Sequence, residues 1–403
     1  MPSTVEIKRS GPSQAELEVK PKSYGKKKGL QTAACWAVGL FLAVNGVLMA
    51  TNPDNKPAKG SANDSVRDLW SGTGSIDLAV NGLAELKQRP TVMLLGSSLI
   101  MHPFWAMDAE KNPHQPDIFH YHGSLALQDA LSKDGAPNQR VYSLAIFGEM
   151  ISDAYIYVND FMKGDKKPDV LMFGIAPRDF HDSDLPAPMA TFTFKRLVGM
   201  NNFPRYADLF LPGWNDKADF VASHSCFFYG KRWRLQHEVQ RVVDKFYDTF
   251  GIPRDNPQTT ATADPSKNTA GFMLNGSAEE RWSNSTKEYR RRYHGIGDKD
   301  LSIQEGFLNK VLTVCAERHI KVVLVNMPLS QKNRDLLPPD FYKAFRAKVG
   351  EIANRPNVKF VDLGDSPEFT EDDFWDTAHL NHLGGHKLVN HIAPAISEEL
   401  NSH

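Results

Sequence analysis

Serine, histidine and aspartate stand in two short blocks far apart in this chain, Gly96-Ser97-Ser98 and Asp376-Thr377-Ala378-His379. A serine hydroxyl is a poor nucleophile at neutral pH. It needs a neutral imidazole to take its proton and a carboxylate to orient that imidazole and stabilise its charged form. Each block alone has an ordinary reading, the first as a tight turn of small residues, the second as a commonplace spacing of acid and imidazole. Their joint occurrence points to chemistry, because the serine turn directly follows the apolar run 91–95, and ligands in open parallel α/β sheets gather at the carboxyl ends of strands.

The two blocks resemble those of the SGNH (GDSL-type) hydrolase superfamily. There the nucleophile is the third residue of a Gly-Asp-Ser block after the first strand, and the base comes from a C-terminal Asp-x-x-His. The resemblance makes Ser98 the nucleophile, His379 the general base and Asp376 its orienter, with Ser97 in the place of the family's Asp. It makes the glycine that closes Ser143-Leu144-Ala145-Ile146-Phe147-Gly148 the second oxyanion donor, beside the N–H of Ser98. In the third block, residues 174–179, Ala176 stands where the family has an asparagine whose amide enters the oxyanion hole. Losing one such donor typically costs about 100- to 1000-fold in rate. Either Arg178 or a further backbone N–H substitutes, or turnover is slow, or a partner completes the site; Arg178-Asp179 is equally readable as a local ion pair or helix cap.

Gly-Ser-Ser followed much later by Asp-x-x-His-Leu-Asn is most similar to the membrane-anchored envelope acyl-transfer branch of that superfamily. Its members work in D-alanylation of lipoteichoic acid or O-acetylate alginate and similar exopolysaccharides. The resemblance implies a serine O-acyltransferase or acyl esterase that acts, without a cofactor, on hydroxyl or ester groups of an envelope polysaccharide or related polymer. A membrane-bound O-acyltransferase is the implied protein partner. The altered second and third blocks leave a second class open, a non-catalytic protein of the same fold that guides a polymer or such an acyltransferase.

Two other chemistries fit less well. The serine turn is not the Gly-x-Ser-x-Gly elbow of α/β-hydrolases, since Ile100 stands where the closing glycine belongs. His379, His382, His386 and His391 have spacings that suit zinc on one helical face, but Gly384-Gly385 is expected to break a helix there. No His-Glu-x-x-His is present. No metal is expected.

The elements that must position these residues read as strand–helix alternation. Beyond 91–95, strands are expected at 140–145, 169–174, 320–327 and 358–363, with helices at 76–87, 123–132, 152–162 and 301–318. This predicts an α/β fold with a doubly wound, five-stranded parallel sheet, the flavodoxin-like arrangement of the superfamily. One insertion, about 180–300, interrupts it. Helical signals at 192–198 and 226–250 and a Thr/Asn/Pro/Ser/Gly-rich stretch at 253–285 predict a helical cap with a loop, either overhanging the site or touching nothing catalytic. Tyr289-Arg290-Arg291-Arg292-Tyr293 closes it, as a grip for an anionic polymer or as a solvated charge run.

Ahead of this domain, residues 30–50 carry no charge. As a helix they reach about 31 Å, close to the thickness of a bilayer's hydrocarbon core. Residues 1–29 are a basic tail ending in Lys26-Lys27-Lys28, so the positive-inside rule keeps the N-terminus in the cytoplasm and exports the rest. A cleaved signal peptide is the rival reading. The long leader, the long apolar run and the poor small-x-small site at Leu48-Met49-Ala50 speak for an uncleaved single-pass anchor in the cell membrane. Residues 51–74 read as a polar stalk and 75–403 as the extracytoplasmic domain. Asn45 within the span is a tolerated polar residue or an interhelical contact.

The whole chain is 41% hydrophobic and 24% charged, so the exported part is able to bury a substantial core. The net charge of -1 offers none of the basic excess that nucleic-acid binding calls for. Of three cysteines, only Cys226 and Cys315 lie in the exported part, too few for a disulfide framework, and their pairing is open.

Overall fold

The computed structural model describes residues 27–51, 73–246 and 276–402, apart from positions 113, 233–234, 237–238, 240 and 244. Helices α1 (Lys27–Thr51) and α2 (Thr73–Glu85) precede the sheet. Its strands are β1 (Val92–Leu95), β2 (Val141–Ser143), β3 (Val170–Ile175), β4 (Lys321–Asn326) and β5 (Val358–Asp362). All neighbours pair in parallel, in the order β2-β1-β3-β4-β5. This is a doubly wound order whose switch point lies between β1 and β3, where a crevice opens at the carboxyl ends. The loops after both strands carry the residues singled out above.

The strands are apolar on both sides, as a sheet covered on both faces requires. Met93, Leu95, Leu171 and Phe173 point to one core, closed by α2, α5 (Ile151–Phe161) and α11 (Asp298–Glu317). Val92, Leu94, Val170 and Met172 point to the other, closed by α3 (Ser98–Lys111), α4 (Leu125–Lys133) and α13 (His382–Asn401). Each such side chain, fully buried, contributes about 1.5–3 kcal/mol. The five expected strands are all present, and the expected helices flank them.

The insertion differs in detail from its sequence reading. It holds α6 (Phe192–Leu197), α7 (Phe203–Phe210) and α8 (Trp214–Ser225), of which only the first is foreshadowed by the pattern. Their aromatic residues Phe194, Phe210 and Phe220 merge with the α11 side of the core, Phe210 lying 4.8 Å from Phe307 between ring centroids. The helical signal at 226–250 is met from Phe227 on wherever that stretch is described, but with a break: Cys226 caps α8 and starts the one-turn α9 (Phe227–Gly230), and helix resumes at Arg232. The chain folds back there because Gly230 lies on α8, where a Cβ would come 2.3 Å from the Ser223 carbonyl oxygen.

The loop expected over 253–285 lies mostly outside the described residues, and its end is helical: α10 (Ala278–Arg292) starts on a Ser277–Glu280 capping box. The stalk and the N-terminal tail also fall largely outside the described residues. Cys226 and Cys315 are free thiols.

Gly384-Gly385 does not break the C-terminal helix, contrary to expectation. Both glycines lie inside α13, where close contact outweighs their low helix propensity. A Cβ on Gly384 would come 2.3 Å from the Asp373 carbonyl oxygen, and one on Gly385 2.8 Å from Met107 Cγ of α3.

Candidate active site

β1 ends at Leu95 and the chain turns at Gly96, with φ +136°. Only glycine fits, because a Cβ would lie 2.5 Å from the Gly174 carbonyl oxygen of β3. The turn makes Ser97 the N-cap and Ser98 the first residue of α3. First-turn N–H groups lack intrahelical acceptors and sit at the positive end of the helix dipole. The Ser98 N–H has no acceptor among the described residues.

The structure brings Ser98, His379 and Asp376 into one hydrogen-bonded chain. Ser98 Oγ lies 2.9 Å from His379 Nε2, and His379 Nδ1 lies 2.9 and 2.8 Å from the two Asp376 oxygens. Asp376 Oδ1 also accepts the N–H groups of Ala378 and His379, at 2.8 and 3.0 Å. With Nδ1–H donating to this carboxylate, Nε2 is left to accept the serine proton. Asp376 is fully buried, which by itself would raise its pKa. His379 and the two N–H donors outweigh burial and hold it below the usual carboxylate value.

The two serines part ways. Ser98 is half-buried and bonds His379, whereas Ser97 is buried beside the Asp179 carboxyl.

The loop after β2 is tied to the serine turn through Ile146 N–H to the Gly96 carbonyl, at 3.0 Å. It ends on Gly148, with φ +74° and an N–H that has no acceptor among the described residues. Two N–H groups without an acceptor among the described residues thus lie in the loops after the adjacent strands β1 and β2; free backbone N–H groups are the kind of donor an oxyanion needs. Ala176 adds none, because its N–H donates to Asp179 Oδ2 at 2.9 Å in a cap of the turn Pro177–Phe180.

Arg178 reaches Gly148 but does not stand free. Its Nη1 donates to the Glu149 carbonyl at 2.8 Å and its Nη2 to Asp182 at 2.7 Å, with Asp179 3.6 Å away. The ion-pair reading of Arg178 therefore holds, with Asp182 as the nearer acid.

Several residues around the site carry no signal in the two motifs. His102, one turn beyond Ser98 on α3, bonds the Leu380 carbonyl at 2.8 Å through Nδ1, with its ring 5.9 Å from that of His379. Burial and the neighbouring His379 push its pKa down to about 4, so it is a neutral Nδ1–H donor. The i, i+4 spacing from Ser98 is the one hint of it in the sequence.

From the insertion, Tyr289 of α10 stands edge-on to His379 with centroids 6.5 Å apart. α10 is also fastened to the Asp–His loop by Ser285–Thr377 at 2.6 Å and by Arg281, stacked 3.8 Å over Trp375. The insertion therefore does overlie this site. Its closing motif is not simply a solvated charge run: Tyr289 and Tyr293 are buried, while Arg291 and Arg292 pair with Glu288, Asp184 and Asp182. Arg290 is exposed and has no ion pair among the described residues.

The remaining histidines of the C-terminal cluster bond acids, His386 to Glu110 at 3.2 Å and His391 to Glu368 at 2.8 Å. Among the described residues no group of three or more histidine, cysteine or acidic side chains is placed to hold a metal ion.

Compared with known proteins, the chain matches no protein-family model and no curated protein. A functional reading therefore rests on the site itself.

Proposed function

We propose that the protein is a serine acyl-transfer enzyme of the SGNH type, an O-acyltransferase or acyl esterase, held at the cell envelope by α1. The observation that carries this reading is the chain Ser98–His379–Asp376 at the switch point of the sheet. Ser98 attacks an acyl carbonyl while His379 takes its proton, and Asp376 stabilises the imidazolium. The oxyanion rests on the N–H groups of Ser98 and Gly148. His379 then returns the proton to the leaving group, and a hydroxyl of an envelope polymer, or water, resolves the acyl-enzyme. α1 supports the membrane placement: it holds an apolar stretch, Ala34–Thr51, long enough to cross a bilayer.

A serine-directed phosphonate tests the chemistry. Mass spectrometry should find the adduct on Ser98 and none in Ser98→Ala. Hydrolysis of aryl acetates by the purified chain separates an esterase from a dedicated transferase. An intact Ser98 that resists the phosphonate would remove the proposal. For placement, a reporter active only outside the cytoplasm, fused after His403, should be active.

A further inference from the structure

Helix α1 is inside out by the standards of a water-soluble helix. Trp36, Val38, Leu40 and Leu42 are 58–76% exposed, whereas the polar Asn45 is 9% exposed. Asn45 is buried by the insertion. Its Nδ2 donates to the Ser225 carbonyl at 2.9 Å, and its Oδ1 accepts the Phe227 N–H at 2.7 Å. Phe41 stacks on Phe228 with centroids 6.0 Å apart.

These backbone groups belong to the break at Cys226, where α8 ends and α9 begins. Helix ends leave N–H and C=O groups unsatisfied, at little cost in water but at several kcal/mol each in hydrocarbon. One amide that satisfies a donor and an acceptor at such a break is what a break at membrane depth requires.

Beyond α9, residues 232–246 are helical wherever they are described. Leu235, Val239, Val242 and Val243 fall at i, i+4, i+7 and i+8, the spacing of one helical face. They are 38%, 62%, 68% and 38% exposed. The segment 231–246 carries Lys231, Arg232, Arg234, Arg241 and Lys245 against Glu238 and Asp244. An apolar stripe with basic flanks is the pattern of a helix lying in a membrane interface. Depth agrees with this. Asn45 precedes Thr51, the end of α1, by six residues, or about 9 Å, and interfacial helices bury their apolar face by about 5–10 Å.

We propose that α9 and the described helical residues that follow it seat on the outer leaflet of the bilayer, with Leu235, Val239 and Val242 in lipid and Asn45 clamping the break at Cys226 to α1. The occupant of the exposed stripe is lipid, because the stripe continues from a contact with the apolar helix itself. The proposal rests on α1 spanning a bilayer. It makes the anchor more than a tether: since the insertion also overlies His379, the clamp fixes the orientation of the serine site to the membrane surface.

The test uses the full chain with Cys35→Ser and Cys226→Ser, reconstituted in vesicles of phosphatidylcholine and phosphatidylglycerol. Single cysteines at Val239→Cys, Val242→Cys, Arg241→Cys and Leu42→Cys carry an environment-sensitive fluorophore, read with nitroxide lipids and with aqueous iodide. Nitroxide lipids should quench positions 239 and 242 several-fold more than 241, and iodide should show the reverse order. Asn45→Ala should lower lipid quenching at 239 at least twofold without changing that at 42. Labels at 239 and 242 that iodide reaches as readily as 241, or that neither quencher reaches because protein covers the stripe, would overturn the proposal while quenching at 42 upholds the anchor. Absence of lipid quenching at 42 would overturn both. Unchanged quenching in Asn45→Ala would overturn the clamp.

Discussion

Arg178 lies against the backbone of Gly148: a methyl group on Gly148 would sit 3.4 Å from Nη2 of the guanidinium. The charge is thus beside Gly148, whose N–H has no acceptor among the described residues, yet it is fixed by Glu149, Asp182 and Asp179. Under the mechanism proposed above, Arg178 would act on the oxyanion through its field and by holding the Gly148 turn, ordering the hole before charge develops.

Arg178→Ala leaves Asp182, whose side chain is fully buried, with Arg292 as its remaining cation. Removing one partner of a buried pair costs about 3–5 kcal/mol, so chemical denaturation should show a loss of this size. Arg178→Lys should recover part of the stability. Because the fork that bonds Glu149 and Asp182 together is lost, its kcat on an aryl ester should stay well below that of the unsubstituted protein while KM changes little. Full activity in the lysine variant would leave Arg178 a purely structural ion pair.

The triad variants should differ in stability as well as in rate. Ser98→Ala should lower activity by about 10⁶-fold, and Asp376→Asn by about 10⁴-fold through the wrong imidazole tautomer. Ser98 is half-buried, so its loss should change stability by less than about 1 kcal/mol. His379→Ala should cost more, since it strips Asp376, fully buried, of its imidazole partner. Comparing urea midpoints with residual esterase rates would check both. If Ser97→Ala rather than Ser98→Ala removed activity, the assignment of the serine would fail.

Three buried acids, Glu149, Asp153 and Asp179, lie near this site, and burial makes each contribute to the pH dependence of stability. Burial pushes Asp153 from 3.8 up to about 7 and raises Glu149 well above its ordinary value. Between about pH 4 and pH 7 the folded chain holds an Asp153 proton that the unfolded chain has released. This contribution is complete at the acidic end and is lost as pH rises through the window. Asp153→Asn keeps an oxygen for the Met150 N–H it accepts at 3.0 Å. Its melting temperature should exceed that of the unsubstituted protein at pH 8, and the difference should vanish near pH 4. Glu149→Gln should act in the same direction, because neither carboxyl oxygen has a partner among the described residues. A melting curve of Asp153→Asn as steep with pH as the parent's would refute this account.

The sheet was legible because its strands are short apolar runs bounded by Gly, Asp and Asn, and parallel strands covered on both faces announce themselves that way. Ser98, His379 and Asp376 were legible because both partners of the serine fall in one tight turn, where Asp376 bonds the N–H groups of Ala378 and His379. What the pattern hid was contact at a distance. Tyr289 and His102 reach His379 from a helix of the insertion and from α3, a juxtaposition that no local spacing encodes. Asn45 reads as a lone polar residue until Ser225 and Phe227, some 180 positions away, meet it. Gly384-Gly385 misled because propensity speaks of isolated helices, while here α3 and the Asp373 backbone leave no room for side chains.

Those glycines offer a test of how tightly the Asp–His loop is held. α13 begins at His382, three residues after His379, and Asn381 caps it through Leu383 and Gly384 N–H. In Gly384→Ala the new methyl would meet a backbone oxygen at 2.3 Å, which cannot rotate away, so the helix start must shift. Overpacking of this kind costs about 1–3 kcal/mol. The shift passes directly to the His379–Leu380–Asn381 segment, and small displacements of a catalytic group lower rates steeply. Gly384→Ala should therefore lose activity at temperatures where it is still folded, whereas Gly350→Ala, on the opposite side of the sheet in α12 (Phe341–Ala353) with its nearest contact at 3.8 Å, should be stable and active. Equal kcat in the two variants, measured below both melting temperatures, would show that α13 does not set the position of His379.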